Sequence, residues 1–178
     1  MDLTETFVGR QDIFDGRIVK LHVDTVTLPD GNTALREIID HPGGVGILAI
    51  DDEDRVFMVQ QYRYAFAQAM WEIPAGKREA GEEPLVTAKR ELQEEVGVMA
   101  ERWLPMGELI PSPGCYAERL YLFMARGLTM GDTHPDDDEF LTVSRVPFTE
   151  LSRACLSGEI QDAKTVVAVL KAKAMLGR

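Results

Sequence analysis

Three glutamates near the middle of the chain, Glu91, Glu94 and Glu95, have the spacing of side chains on one face of a helix. At about 100° per residue they fall within roughly a third of the helix circumference. Three like charges at this spacing repel one another and destabilise a helix. A hard divalent cation removes that penalty, because Mg²⁺ prefers oxygen ligands and keeps positions open for water and phosphate groups. The alternative is a solvated acidic face, which the three glutamates alone would favour.

The residues around these glutamates form a more specific pattern. Gly76 is followed after five residues by Glu82 and, after seven more, by the run RELQEEVGV over residues 90–98. The segment matches GX₅EX₇REUXEEXGU at every defined position, where U is an apolar residue. This pattern is the Nudix box, and the chain therefore resembles the Nudix hydrolases.

This resemblance implies an α/β fold, an α/β/α sandwich around a mixed sheet, and hydrolysis of a nucleoside diphosphate linked to another moiety with Mg²⁺, or alternatively Mn²⁺. It implies that Glu91 and Glu95 are the principal metal ligands, that Glu94 is a ligand or a close partner, and that the Ala75 carbonyl joins them. It also implies residues that shape or brace the motif without doing chemistry, namely Gly76, Glu82, Arg90 and Gly97.

Flanking segments resemble the ADP-ribose pyrophosphatase subgroup. WEIPAGK over residues 71–77 leads into the box, and Pro113 lies fifteen residues beyond Val98. Glu118 stands where that subgroup often has a glutamate that contacts the substrate. The resemblance implies cleavage of ADP-ribose, or a related nucleoside diphosphate sugar, to two monophosphates. Two alternatives stay open: a GDP-mannose or other sugar-nucleotide hydrolase, and a non-catalytic sensor with the same fold that binds a nucleotide.

A diphosphate substrate needs local positive charge in a chain with 19 basic and 30 acidic residues. Arg36 and Arg63 are predicted to supply it through planar, bidentate contacts. Arg63 stands between two tyrosines, so the alternative is a surface arginine resting on an aromatic ring. Glu72 is predicted either to accept a hydrogen bond from a ribose hydroxyl or to form a salt bridge at a sheet edge.

The acidic run at residues 136–139 is predicted to supply the general base. If the box glutamates bind metal, an attacking water still needs a proton acceptor within hydrogen-bond reach. The resemblance supports this location, because these enzymes usually place a catalytic glutamate there. Glu139 is the first choice, with Asp137 and Asp138 behind it, and a solvated turn is the alternative.

The elements that must position these residues follow from periodicity and turn signals. Residues 7–40 are predicted to form a small antiparallel sheet, and 45–50 and 56–62 to form two partner strands covered on both faces. A helix is predicted over 84–96, because Pro84 suits its first turn and Gly97 suits its end. Its buried stripe is expected to contain Leu85, Ala88, Leu92 and Val96. Further strands are expected near 104–110, 119–126 and 140–146, and a last helix over 162–176, with Met175 among its apolar contacts.

The domain prediction is an antiparallel extension over residues 1–42 and a catalytic domain over 43–178. A small sheet is marginal alone, so the extension is expected to form a homodimer, with Arg36 acting across the interface. The net charge of −11 argues against nucleic acid or an anionic membrane as partner. The acidic first residues lack a signal-peptide pattern, no apolar run suits a membrane span, and the two cysteines suit a reducing compartment. A cytoplasmic protein is expected.

Overall fold

The computed structural model describes residues 1–132 and 140–178. Its strands are β1 (Thr6–Asp15), β2 (Lys20–Thr27), β3 (Thr33–Asp40), β4 (Gly44–Ala49), β5 (Arg55–Arg63), β6 (Gln68–Glu72), β7 (Ala75–Lys77), β8 (Val98–Leu109), β9 (Leu120–Met130) and β10 (Thr142–Pro147). Its helices are α1 (Pro84–Val96), α2 (Phe148–Ser157) and α3 (Ala163–Met175), and a 3₁₀ turn covers Tyr64–Phe66. Among the described residues, no helix combines the length and apolar content that a membrane span requires.

The chain divides into two compact units, and the first comprises residues 1–43 and 110–119. In it, β1, β2 and β3 form an antiparallel sheet, which confirms the predicted N-terminal sheet. The residues of β2 alternate, with His22, Asp24 and Val26 buried. The segment 110–119 is held to β3 through Ile39, whose N–H donates to the Cys115 carbonyl at 2.8 Å.

The second unit comprises residues 44–109 and 120–178 and contains two sheets. One is a mixed sheet in the order β7-β4-β9-β8, in which β4 and β9 run parallel. The other is antiparallel, in the order β10-β5-β6. All six residues of β4 are buried, as its continuous apolar sequence predicts for a strand covered on both faces.

The prediction that residues 45–50 and 56–62 pair with each other is wrong. A single bridge between Ile50 and Val56 joins them, and the two strands belong to different sheets. The cause is competition for edges: β4 pairs with β7 on one side and β9 on the other, so no edge is left for β5. The turn between them passes through Asp54, which has a left-handed backbone conformation with φ of 59°.

Side chains of β4 and β5 alternate between two apolar layers, as the period of a strand requires. One layer contains Ile47 and Val59 and packs against α1; the other contains Leu48 and Met58 and packs against α2 and α3. Strands therefore lie between helices on both faces, which confirms the α/β/α sandwich.

Two expected core residues, Leu85 and Met175, are instead exposed, because they lie in the first turn of α1 and the last turn of α3.

Candidate active site

Helix α1 has the bounds that its sequence predicts. Pro84 occupies its first turn, where a missing N–H costs nothing. Gly97 ends it in the left-handed conformation, with φ of 64°, and the Gly97 N–H donates to the Gln93 carbonyl at 2.9 Å. Ala88, Leu92 and Val96 are buried against the sheet, so the helix is held rigidly with its glutamates beside the apolar stripe.

Two of the three glutamates are drawn inward. Glu91 is 8% exposed and Glu95 is 3% exposed, whereas Glu94 is half-buried. The Ala75 N–H donates to Glu95 Oε2 at 2.9 Å, and Ala75 begins β7, which is paired with β4. The Glu95 carboxylate thus lies against the backbone at the start of β7.

Gly76 explains how Glu91 reaches that backbone. A Cβ atom built on Gly76 would overlap the Glu91 carboxylate, so the side chain occupies space that only glycine leaves open. The structure therefore brings Ala75, Gly76, Glu91 and Glu95 together, although Gly76 and Glu91 are fifteen residues apart in the sequence.

Arg90 joins the acidic residues of the motif to one another. Its guanidinium lies 2.9 Å from Glu91 Oε1, 2.8 Å from Glu94 Oε2 and 3.3 Å from Glu82 Oε2. The hydrogen bond from Arg90, helped by those from Glu79 and Thr87, lowers the pKa of Glu82 to about 2. Arg90 also donates to the Lys77 carbonyl at 3.2 Å, so it ties α1 to the end of β7. The bracing roles of Glu82 and Arg90 stay predictions.

The donors at this place suit a hard divalent cation. The buried carboxylates of Glu91 and Glu95 lie on one face of α1. The Glu91 carboxylate occupies the space beside Gly76 and therefore lies against β7. In the residues described, no three His, Cys, Asp or Glu side chains are already gathered as a metal cluster. Arg90 pairs instead with one oxygen each of Glu91 and Glu94.

The predicted substrate-binding residues are distributed over both units. In the first unit, Arg36 donates to Glu5, with Nε to Oε2 at 2.9 Å, and Glu118 Oε1 lies 3.4 Å from His41 Nδ1. In the second unit, Arg63 makes two hydrogen bonds of 2.6 Å to Glu72. Glu72 is 2% exposed.

Glu72 is ionised despite its burial. Burial alone would raise the pKa of its carboxyl, but the hydrogen bonds and charges of Arg63 and Lys164 outweigh that effect and lower the pKa below its usual value. The salt bridge that the sequence offered as one of two possibilities is present, and the ribose contact stays a prediction. The predicted general-base residues Asp137, Asp138 and Glu139 lie outside the described residues.

Sequence reasoning missed three residues near this site. At the start of α3, Lys164 and Thr165 contact Glu72 and Ile73 directly, and Asp162 accepts hydrogen bonds from both Lys164 and Thr165. An aspartate before a predicted helix signals an N-cap, and Asp162 is one. That signal does not tell which distant segment the first turn of the helix meets.

A cavity of about 520 Å³ opens beside α2 and is lined by Met58, Trp71, Leu151 and Ile160 among others. These residues belong to the apolar layer of α2 and α3, whereas the buried glutamates lie on the face of α1. This cavity therefore is not the space that faces Glu91 and Glu95.

Comparison with known proteins identifies related chains. The model of the NUDIX domain matches residues 40–168. A methanol dehydrogenase activator from Bacillus methanolicus is 42% identical over 93% of this chain and 90% of its own length. An ADP-ribose pyrophosphatase from Bacillus subtilis (strain 168) is 39% identical over 94% and 91%. A GDP-mannose pyrophosphatase from Cronobacter sakazakii is less similar, at 30% over 74% of each chain.

Among solved structures, a crystal structure of an ADP compounds hydrolase covers 99% of this chain and 97% of its own, with a TM-score of 0.87. At 20% sequence identity this similarity concerns the fold, which is thus shared over nearly the whole chain.

Proposed function

Since the chain belongs to the NUDIX family, we propose that it is a hydrolase that cleaves ADP-ribose, or a related nucleoside diphosphate sugar, to a nucleoside monophosphate and a sugar phosphate. The observation that carries this proposal is the complete motif over residues 76–98, with Glu91 and Glu95 of α1 buried against Ala75 and Gly76 of β7. The 39% identity to an ADP-ribose pyrophosphatase supports this substrate over GDP-mannose, whose pyrophosphatase is 30% identical over a shorter part of the chain.

A divalent metal, which we propose is Mg²⁺ with Mn²⁺ as the alternative, belongs with this activity. Glu91, Glu95 and the Ala75 carbonyl would hold it, with Glu94 as a further ligand or close partner. When bound, it would neutralise the diphosphate and acidify a water molecule. The contacts of Arg90 with Glu82 and the Lys77 carbonyl would keep its charge beside the site.

We propose that Arg36, Arg63, Glu72 and Glu118 contact the substrate. Arg63 is the best supported of them, because Glu72 holds its guanidinium in place through two hydrogen bonds while 39% of its side chain stays exposed. To bind a diphosphate it would have to exchange part of its pairing with Glu72, to which both of its hydrogen bonds now go. Arg36 would have to release Glu5 in order to bind the substrate. A guanidinium binds the two oxygens of a carboxylate and of a phosphate in the same bidentate way, so such an exchange keeps the geometry of the contact.

The direct experiment offers ADP-ribose and Mg²⁺ to the protein and separates the products by chromatography. AMP and ribose 5-phosphate should appear together, and added phosphatase should then release phosphate that intact ADP-ribose does not yield. GDP-mannose in a parallel reaction tests the alternative substrate. Tight binding of ADP-ribose without any product would instead support a non-catalytic sensor.

The general base is expected within residues 136–139, with Glu139 preferred to Asp137 and Asp138. Each of the four acids is changed singly to alanine, and kcat is measured at saturating Mg²⁺. One variant should lose on the order of 10²-fold in kcat, the usual scale for a general base, while its melting temperature stays unchanged. If all four retain kcat within a few-fold of the unaltered protein, the base lies elsewhere.

A homodimer that associates through residues 1–42, with the catalytic domain at 43–178, is expected. Strand β1 is exposed along nearly its whole length and presents large apolar side chains, among them Phe7, Ile13 and Phe14. Light scattering should give about twice the chain mass of 19.9 kDa. Phe7→Glu should shift the protein toward monomer, whereas Gln11→Glu, also on exposed β1, should not. A fully active monomer would contradict this expectation.

A cytoplasmic location is likewise proposed, supported by two unpaired cysteines in the structure.

A further inference from the structure

The first turn of α3 is attached to the backbone just before the box. Asp162 caps the helix by accepting the Thr165 N–H at 3.0 Å, and it also accepts the Thr165 hydroxyl proton. Because that proton is directed to Asp162, a lone pair of the Thr165 oxygen is left for another donor. It accepts the Ile73 N–H at 2.9 Å, and Thr165 is fully buried.

A chain of alternating charges runs beside this contact. Lys164 donates to Glu72 and, at 3.0 Å, to Asp162 Oδ1, while Arg63 donates to both carboxylate oxygens of Glu72. Glu72 and Lys164 are 2% and 8% exposed. Two cations and two anions therefore balance, and each buried carboxylate meets more than one donor, which is the condition under which buried charges are tolerated.

These contacts hold every residue of the segment that leads to Ala75. Lys164 holds the Glu72 side chain, Thr165 holds the Ile73 N–H, and the Pro74 carbonyl accepts the Ile47 N–H at 2.8 Å. Pro74 also has a fixed φ. The next residue is Ala75, whose N–H binds Glu95. A shift of Ile73 would therefore pass through a stiff link to Ala75 and Glu95.

We propose that Lys164 and Thr165 are positioning residues, which through Glu72 and Ile73 hold the Ala75 backbone and the Glu95 carboxylate in the arrangement that binds a divalent cation. This inference rests on the metal-binding role proposed above for Ala75 and Glu95. The geometry separates it from ordinary stabilisation of α3. Asp162 caps that helix without help from Ile73, so the Thr165–Ile73 and Lys164–Glu72 contacts serve the segment before the box.

The test measures cation binding without turnover. Binding of Mn²⁺ to the unliganded protein is followed by electron paramagnetic resonance, and the Mg²⁺ concentration for half-maximal activity is measured separately. Thr165→Val keeps the branched shape but removes the acceptor, and Lys164→Met keeps the stem but removes the charge. Each should weaken Mn²⁺ binding by roughly 10-fold or more, the scale on which residues behind metal ligands act. Thr165→Ser keeps the hydroxyl and Lys164→Arg keeps the charge, so both variants should bind Mn²⁺ with nearly the affinity of the unaltered protein.

Val166→Ala is the matched control for stability, because Val166 packs against the apolar layer of α2 and α3 and makes no contact with Glu72 or Ile73 in the described hydrogen bonds. It should lower the melting temperature and leave Mn²⁺ binding unchanged. Lys164→Met leaves Glu72 paired with Arg63, so this variant carries the test where Thr165→Val does not fold. Unchanged Mn²⁺ binding in folded Lys164→Met and Thr165→Val would overturn the inference. An unaltered protein that binds Mn²⁺ yet hydrolyses no nucleotide would overturn the proposed function instead.

Discussion

Glu95→Gln is expected to abolish turnover while the protein stays folded. The remaining rate should be under about a tenth of the original one. Glu95 is 3% exposed and lies against the Ala75 N–H at 2.9 Å. Glutamine has the same shape and its amide oxygen accepts the same hydrogen bond, so the packing of α1 is preserved. It lacks the charge that a divalent cation needs from this ligand.

The stability of the protein without metal should hold or rise. Removal of one charge relieves repulsion among the three glutamates of α1, which sit at helical spacing. Thermal unfolding in a chelator checks this expectation, and kinetics at increasing Mg²⁺ checks the loss of turnover. The matched control is Glu83→Gln: Glu83 is exposed at the start of the same helix, and its side chain makes no capping hydrogen bond. Retention of activity by Glu95→Gln would exclude Glu95 as a ligand, and a large fall in melting temperature would indicate a structural role.

Local signals made α1 predictable. Its start, its end and the order of its glutamates depend on residues within one stretch of the chain, where Pro84 and Gly97 determine the helix bounds. Helix α2 was missed for a related reason. It follows Pro147, which provides no side-chain cap, so the usual sequence marker of a helix start is lacking.

Long-range contacts were not predictable in the same way. Adjacency in sequence suggested that the two apolar strands β4 and β5 pair, yet the choice was decided by β9, which is far along the chain and pairs with β4 in parallel. Glu72 and Lys164 are 92 residues apart, and no periodicity links them. Residue types alone left Glu72 between a ribose contact and a salt bridge, because both need an ionised carboxylate and only the fold supplies Arg63 and Lys164 around it.

Gly76→Ala is expected to lower activity nearly as far as loss of Glu91 does, although it removes no functional group. A Cβ at Gly76 would overlap the Glu91 carboxylate. The backbone of β7 is paired with β4 at Val45 and Gly76, so the flexible end of the Glu91 side chain gives way before the strand does. The carboxylate then leaves the position beside Ala75 where we propose that it binds metal, and both cation affinity and kcat should fall.

Gly76→Ala should therefore reduce kcat and cation affinity more than stability. Its free energy of unfolding should fall by about 1–3 kcal/mol, as for other overpacked sites. Gly131→Ala is the matched control, because a Cβ there would make only ordinary contacts, at 3.6 Å or more, and it should leave activity unchanged. The path through Glu91 is tested by combination: Gly76→Ala together with Glu91→Ala should be no less active than Glu91→Ala alone, since two changes that act on one group are not additive. Gly76→Ala with near-normal activity would mean that Glu91 does not need the space beside Gly76, and additive losses in the double variant would mean that Gly76 acts on the site by another route.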